Sequence, residues 1–331
     1  MHATDLRLLM RRRQRRVLAT TALAATVLLA GCGGSGESGS PQGGGPTTVT
    51  VGVIPIVDVA PIYLGIKQGF FAQQGLELKL ETAQGGAAII PGVVSGQYQF
   101  GFSNTVSLLL AASKGLPLKV VSAGVASTGK DGKDFGAVVV KSDSPIHSAA
   151  DLAGKRVAVN TLQNINTTTL NKAVRKAGGD PSKINYTELA FPDIPAAVAK
   201  GDVDAGQVVE PFLTIAKQQG MREVTSNYAA TDPNLMVGMY FTSAQYMQRN
   251  AALVQKFTTA MRQSLQYADA NPEAARAIMT TYLKIDPGVQ KAVTLPNWPS
   301  DIDKNSVTVL ADLATQDKLV TTSPDLSTLL P

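Results

Sequence analysis

Two α/β lobes, each built on a parallel sheet, are what this sequence predicts for most of its 331 residues. Three observations carry the prediction. Short β-branched runs alternate with helix-length apolar stretches, a glycine-bounded unit recurs 105 residues on, and two β-rich runs bracket the second copy.

The elements follow in order from Thr47. Val49, Val51 and Val53 alternate as in a strand and run into the loop Pro55-Ile56-Val57-Asp58. A helical pattern through Tyr63, Leu64, Ile66 and Lys67 stops near Gly69. Leu76, Leu78 and Leu80 alternate again, and Gln84-Gly85-Gly86 punctuates before a helix over residues 87–95. A short strand at 99–102 leads into Ser103-Asn104-Thr105 and a helix over 106–113. The unit Gly96-Gln97-Tyr98-Gln99-Phe100-Gly101 then has its match in Gly201-Asp202-Val203-Asp204-Ala205-Gly206. Each copy follows a short Ala/Val-rich helix and leads into a strand with a polar end, Ser103-Asn104 in one and Glu210-Pro211 in the other. Between them, 155–159 reads as a strand ending at Asn160-Thr161, 168–176 as a helix closed by Gly178-Gly179, and 184–189 as a further strand. One large sheet is the alternative to two lobes.

The runs FGAVVVK at 135–141 and LMVGMYFT at 235–242 are expected to cross between the lobes. That divides the body into a first lobe of residues 47–137 and 236–331 and a second of 138–235. Helices over 251–268, 273–283 and 304–314 are expected to pack on the first lobe. In the earliest of these, Leu253, Phe257, Met261 and Leu265 at spacing four mark the buried stripe.

Ahead of the body stands a different kind of segment. Arg11, Arg12, Arg13, Arg15 and Arg16 form a basic head before an apolar stretch at 17–30, too short for the roughly 20 residues that span a bilayer. The stretch ends in Leu29-Ala30-Gly31-Cys32, which resembles the lipobox of bacterial lipoproteins. That resemblance implies a signal peptide over 1–31 and acyl chains such as palmitate at Cys32. More than one chain matters, because a single chain gives only marginal membrane binding. An ordinary secreted protein with a stray cysteine is the alternative. Arg15-Arg16-Val17-Leu18 partly resembles the twin-arginine pattern, so the export route stays open. The tract GGSGESGSPQGGGP at 33–46 has nothing to bury and reads, with Cys32, as a lipid-anchored tether over 32–46. Cys32 is the only cysteine, which excludes disulfides, a cysteine-zinc cluster and thiol catalysis from the body.

Charge points away from nucleic acid. Six of the 30 Lys and Arg and one of the 25 Asp and Glu precede Cys32, leaving 24 of each sign in the remainder.

The run YLGIKQGFFAQQGLELKLETAQGGAAIIPGVVSGQYQFGFSN, with SAADLAGKRVAVN and VVEPF, resembles the solute-binding proteins of nitrate/sulfonate/taurine-type ABC importers. That family also includes binders of thiamine-pyrimidine precursors. The resemblance implies a two-lobed periplasmic-binding-protein fold of type II, with two crossing strands and a ligand cleft between the lobes. It further implies a monomeric, non-enzymatic receptor on the outer face of the cytoplasmic membrane. Such a receptor takes a small polar solute of the taurine/sulfonate/nitrate class, or an amino-pyrimidine, to an ABC permease and its ATPase. It needs no cofactor or metal, and it touches the membrane through its lipid only. A sensor subunit on the same fold is an alternative. An enzyme is another: the fungal thiamine-pyrimidine synthase is similar in architecture but relies on a histidine and a cysteine-rich motif that the candidate loops here do not contain.

In parallel α/β sheets ligands sit at the carboxyl ends of strands, where loops and helix N-termini converge. The candidates in the first lobe are therefore Asp58, Gln84, Gly85, Ser103, Asn104 and Thr105. In the second they are Asn160, Thr161, Asn164 and Thr167, the last two in the polar run Gln163-Asn164-Ile165-Asn166-Thr167, together with Glu210. Ser103, Thr161 and Thr167 are equally good helix N-caps, and Asp58 before Ala60-Pro61 could cap a helix rather than meet a ligand. Two carboxylates and no Arg or Lys in these loops suit an amine, a zwitterion or an amino-pyrimidine better than a bare anion. His147 reads as a surface residue and Trp298 as a packing anchor. Lys130-Asp131-Gly132-Lys133-Asp134 reads as a solvated turn.

Overall fold

Two five-stranded sheets organise residues 45–331, the part of the chain that the computed structural model describes. The export segment, Cys32 and all but the end of the tether lie outside the described residues. In chain order the strands are β1 (Thr47–Val53), β2 (Leu76–Thr82), β3 (Phe100–Asn104), β4 (Leu118–Ala126), β5 (Gly136–Val140), β6 (Arg156–Val159), β7 (Asn185–Glu188), β8 (Ala205–Val209), β9 (Arg222–Thr225) and β10 (Met236–Ser243). The first sheet has the order β2-β1-β3-β10-β4 and the second β7-β6-β8-β5-β9.

The two orders are the same order written twice. Three strands run parallel in each, β2-β1-β3 and β7-β6-β8, and an antiparallel strand lies beside the third. The 105-residue repeat is therefore structural. Gly96 and Gly201 both take left-handed φ, 81° and 79°, where a helix ends. Gly101 and Gly206 let that helix settle onto its sheet: a Cβ there would stand 2.5 Å from Ile89 Cγ2 and 2.3 Å from Ile194 Cγ2 respectively. Val49, Val51 and Val53 are all fully buried, as their alternation predicts.

The lobes are mixed rather than purely parallel, because the two runs expected to cross between them do not. Gly136–Val140 pairs with β8 and β9, and Met236–Ser243 lies between β3 and β4; every residue of both is buried. An apolar run gains more inside a sheet than spanning a gap. The crossings fall instead on the more polar segments 127–135 and 226–235. Residues 136 and 137, counted above with the first lobe, accordingly pair in the second sheet. β4 has no counterpart among the strands expected from sequence.

The crossing segments are tied together. Asp134, expected in a solvated turn, is buried, and its carboxylate accepts from Ser127 Oγ (2.6 Å) and from the amides of Thr128, Phe135 and Ala229. Asp131 Oδ1 accepts from the Ser226 amide at 3.0 Å. Among the closing helices, Ala251–Ala270 buries Phe257, Met261 and Leu265, with Leu253 only half-buried, and Phe257 stacks on Phe100 at 3.8 Å. The helix Lys304–Gln316 departs from expectation by packing on both lobes, against Thr105–Ser113 and Ile165–Lys176. Just beyond it, Asp317 pairs with Arg175 and accepts from Asn171 Nδ2 at 2.9 Å. One apolar core runs without interruption from the first sheet to the inner face of the second, so the lobes are closed on each other.

Candidate functional site in the interlobe cleft

Three backbone-assisted bonds cross the cleft. The Val57 amide donates to the Glu210 carbonyl (3.1 Å), Gln84 Nε2 to the Asn160 carbonyl (3.2 Å) and the Ile165 amide to Asn104 Oδ1 (3.4 Å). Behind them lies a small inner chamber of about 20 Å³. Asp58, Asn104, Asn160 and Asn164 line it, as expected, together with Asn166 and Tyr228. Ile54, Ile56 and Phe191 also line an outer pocket of about 290 Å³, whose lining includes Pro55, Ala83, Gln84, Pro192 and Phe212. A larger groove of about 460 Å³, between β4 and the helix Ala251–Ala270, holds none of these converging residues.

The second lobe supplies an amide network. Asn160 Oδ1 accepts from Asn164 Nδ2 (2.9 Å) and Asn166 Nδ2 (2.7 Å), and Asn166 Oδ1 accepts from the Tyr228 hydroxyl. Asn164 is also the N-cap of the helix Ile165–Lys176, with Thr167 as its reciprocal capping partner. Asn104 caps Thr105–Ser113 through the Ser107 amide at 2.9 Å. The caps are thus the asparagines, and neither Ser103 nor Thr161. Asparagine accepts two amides at an extended backbone position and keeps an NH2 for neighbours.

The other candidates do not reach the chamber. Ser103 is packed against Gly86, Thr105 Oγ1 donates to the Met236 carbonyl and Thr167 is spent on its helix cap. Gly85 and Thr161 mark the place where the lobes touch: a Cβ on Gly85 would stand 2.9 Å from Thr161 Cγ2. Glu210 faces inward to the protein. Its carboxylate accepts from the Thr214 amide (3.0 Å) and hydroxyl (2.9 Å) and from the Thr294 amide (3.0 Å). Burial still lifts its carboxyl to about 7 against those bonds.

Asp58 is the opposite case. It is 3% exposed and sits in the short turn Val57–Val59, with no side-chain cap bond to the helix Ala60–Lys67. Its Oδ1 has no hydrogen-bond partner among the described residues. Burial raises the carboxyl to about 7, opposed by its own backbone amide and reinforced by the nearby Asp134. The turn itself is held from behind. Trp298, buried as a packing anchor, donates Nε1 to the Asp58 carbonyl (3.2 Å), and Tyr282 donates to the Ile56 carbonyl (3.2 Å). Tyr228, Phe191 and Trp298 come from segments with no periodic pattern, so only Asn166, two residues from Asn164 in the same polar run, was within reach of sequence reasoning. His147 is exposed, away from the cleft.

Known proteins are similar to this chain over most of its length. A formylaminopyrimidine-binding protein of Halalkalibacterium halodurans is 23% identical over 225 residues, 66% of this chain and 65% of its own length. A 4-amino-5-hydroxymethyl-2-methylpyrimidine phosphate synthase of Aspergillus parasiticus is 24% identical over 231 residues, 65% of this chain and 64% of its own. The chain thus spans just under two thirds of the length of these curated relatives. The alkanesulfonate-binding protein SsuA of Xanthomonas axonopodis pv. citri, solved with bound MOPS, superposes with a TM-score of 0.73 at 18% identity. That match covers 87% of this chain and 99% of SsuA, a likeness of fold that carries the two-lobed binding-protein architecture expected from sequence. The NMT1/THI5-like family matches residues 56–275, and this chain belongs to that family.

Proposed function

We propose that the protein is the solute-binding component of an ABC importer, a receptor that closes two lobes over a small polar solute and presents it to a permease and its ATPase. The observation that carries this reading is the cleft itself. Loops from both sheets meet in a chamber whose polar residues are four asparagines, one tyrosine and Asp58. No serine, threonine, cysteine, histidine, lysine or arginine lines it, so it offers no nucleophile with a paired base. That weighs against the enzyme reading that the synthase relative raises. The two crossing segments, pinned by Asp131 and Asp134, are the hinge such a receptor needs.

A thermal-shift screen over taurine, alkanesulfonates, nitrate and amino-pyrimidines tests the reading. The bound solute should raise the melting temperature by mass action, equivalent to about 2.7 kcal/mol at a hundred times Kd. Turnover of a solute that produces no shift would remove the receptor function. The lipid anchor is proposed on the lipobox resemblance alone, and it supports import by keeping a receptor beside its permease. Cys32→Ser should release the protein from membranes; continued attachment would refute the anchor.

A further inference from the structure

The helix Lys304–Gln316 starts on the first lobe, where Asp303 caps it and Ser306 Oγ accepts from the Met236 amide at 2.9 Å, at the head of β10. Its 13 residues make it about 20 Å long, so its far end stands well away from the crossing segment that runs into β10. That end lands on the second lobe. There Asp317, with a side chain 4% exposed, accepts from the Arg175 guanidinium and from Asn171 Nδ2 at 2.9 Å. Asn171 in turn accepts from the Tyr186 hydroxyl at 2.7 Å, which ties the node to β7, and Gln316 Oε1 accepts from Arg175 at 3.3 Å. Lys318 then takes a left-handed φ of 58°, which a residue with a Cβ adopts only where its surroundings require it, and the chain turns back. The return reaches β4 of the first lobe, where Leu329 and Leu330 are buried and Lys119 Nζ donates to the Thr328 carbonyl.

A segment fastened to the first lobe before and after Asp317 does not follow the second lobe when the two part. A rotation of about 10° moves a point about 20 Å from the hinge by about 3 Å, further than a hydrogen bond stretches. Opening therefore breaks the Asp317 node. Among the described residues, Arg175–Asp317 is also the one ion pair that joins the lobes; the others each lie within a single lobe. We propose that Asp317, held by Arg175 and Asn171, is a latch that biases the lobes toward the closed arrangement before any solute enters. Asp317, Arg175, Asn171 and Tyr186 line neither the inner chamber nor the outer pocket. The latch acts on closure alone, and a solute that binds only the closed lobes gains affinity in proportion to the closed fraction.

Distances between spin labels in the full chain, measured by pulsed electron paramagnetic resonance without solute, test this. Cys32→Ser removes the only cysteine, and Lys79→Cys with Lys183→Cys places one exposed label on each lobe. The labelled parent should show a closed population. Asp317→Asn and, separately, Arg175→Ala should each lower the ratio of closed to open about 10-fold, as expected for the loss of a hydrogen bond between charged groups. Arg262→Ala, which removes the exposed pair with Asp301 inside the first lobe, should leave the ratio unchanged. Melting temperatures identify a variant that does not fold, and because the two substitutions enter from different lobes, either one suffices. A parent with no closed population overturns the proposal. So does an unchanged ratio in a folded variant, or a shift in Arg262→Ala as large as that in Asp317→Asn. No solute takes part, so these outcomes are independent of the receptor reading, which the thermal-shift screen decides.

Discussion

On the cleft face of the second lobe, Asn164 and Asn166 donate to Asn160 and Tyr228 donates to Asn166, and Glu210 nearby is held by Thr214 and Thr294. On the face of the first lobe, built on the same strand order, Asp58 keeps an oxygen free. The contrast separates two duties that a binding site must combine. A network of side chains bonded to one another resists deformation and fixes the shape of one wall, since breaking it leaves buried polar groups unpaired. On the receptor reading proposed above, the single unsatisfied carboxylate on the opposite wall would be an acceptor left for a ligand's donor. Asp58 can be left bare because Trp298 and Tyr282 secure the backbone of its turn, so its side chain is not needed to hold the loop.

The largest effect expected from this contrast is on stability against pH. Below pH 4 the Asp58 carboxyl is protonated in folded and unfolded chains alike. Between pH 4 and about 7 the unfolded chain has released a proton that the folded protein keeps, so stability falls as pH rises and levels off above 7. Raising one carboxyl from 3.8 to about 7 corresponds to about 4 kcal/mol at most. Asp58→Asn should therefore match the parent at pH 4 and exceed it in urea denaturation at pH 8. Glu210, also raised to about 7, acts in the same direction and persists in that variant. Asp134 faces Asp58 with like charge, while Tyr228, Tyr240 and Tyr282 lie well above their usual range and stay neutral throughout. Equal stability of variant and parent at pH 8 would show that Asp58 has a partner in solution.

The opposite wall should respond with the opposite sign. Tyr228→Phe removes the donor to Asn166 Oδ1 without changing shape, leaving a buried acceptor open. A loss of about 1–3 kcal/mol is expected at every pH, measured by the same denaturation. A loss within error would mean the network is not tied as the geometry indicates. The smallest effect on stability belongs to the seam between the walls. Gly85→Ala places a methyl group 2.9 Å from Thr161 Cγ2 in a backbone conformation that alanine adopts freely. Unfolding should change by about 0.5 kcal/mol or less. Scattering should nevertheless show a larger radius of gyration, and solute affinity should fall several-fold, because only closure is hindered. An unchanged radius and affinity would move the contact between lobes away from Gly85.

Much of the fold was readable because it depends on local pattern. The alternation of Val49, Val51 and Val53 marks a buried strand wherever it occurs, and glycine spacing exposed a duplication that the strand order repeats. The site was readable only in part. Asn104, Asn160 and Asn164 end strands or open helices, which is where sheets of this kind present polar groups. Glu210 looks like its equal in sequence, yet Thr294, 84 residues later, takes up one of its oxygens. Phe191 and Tyr228 wall the chamber from a connecting loop and from the hinge, where no period marks them.

By itself, then, the amino-acid order determined two similar α/β lobes, the neutral charge of the body and the loops from which a site could be drawn. Each of these follows from local pattern or from composition, without any knowledge of which distant residues meet. Which strands fill the sheets, which segments cross, and whether Asp58 or Glu210 remains unpaired were decided only by the tertiary structure. Burial and hydrogen bonding between residues far apart in sequence are properties of the assembled core, and it is the donors that the rest of the chain brings to Glu210 and not to Asp58 that set the two carboxylates apart.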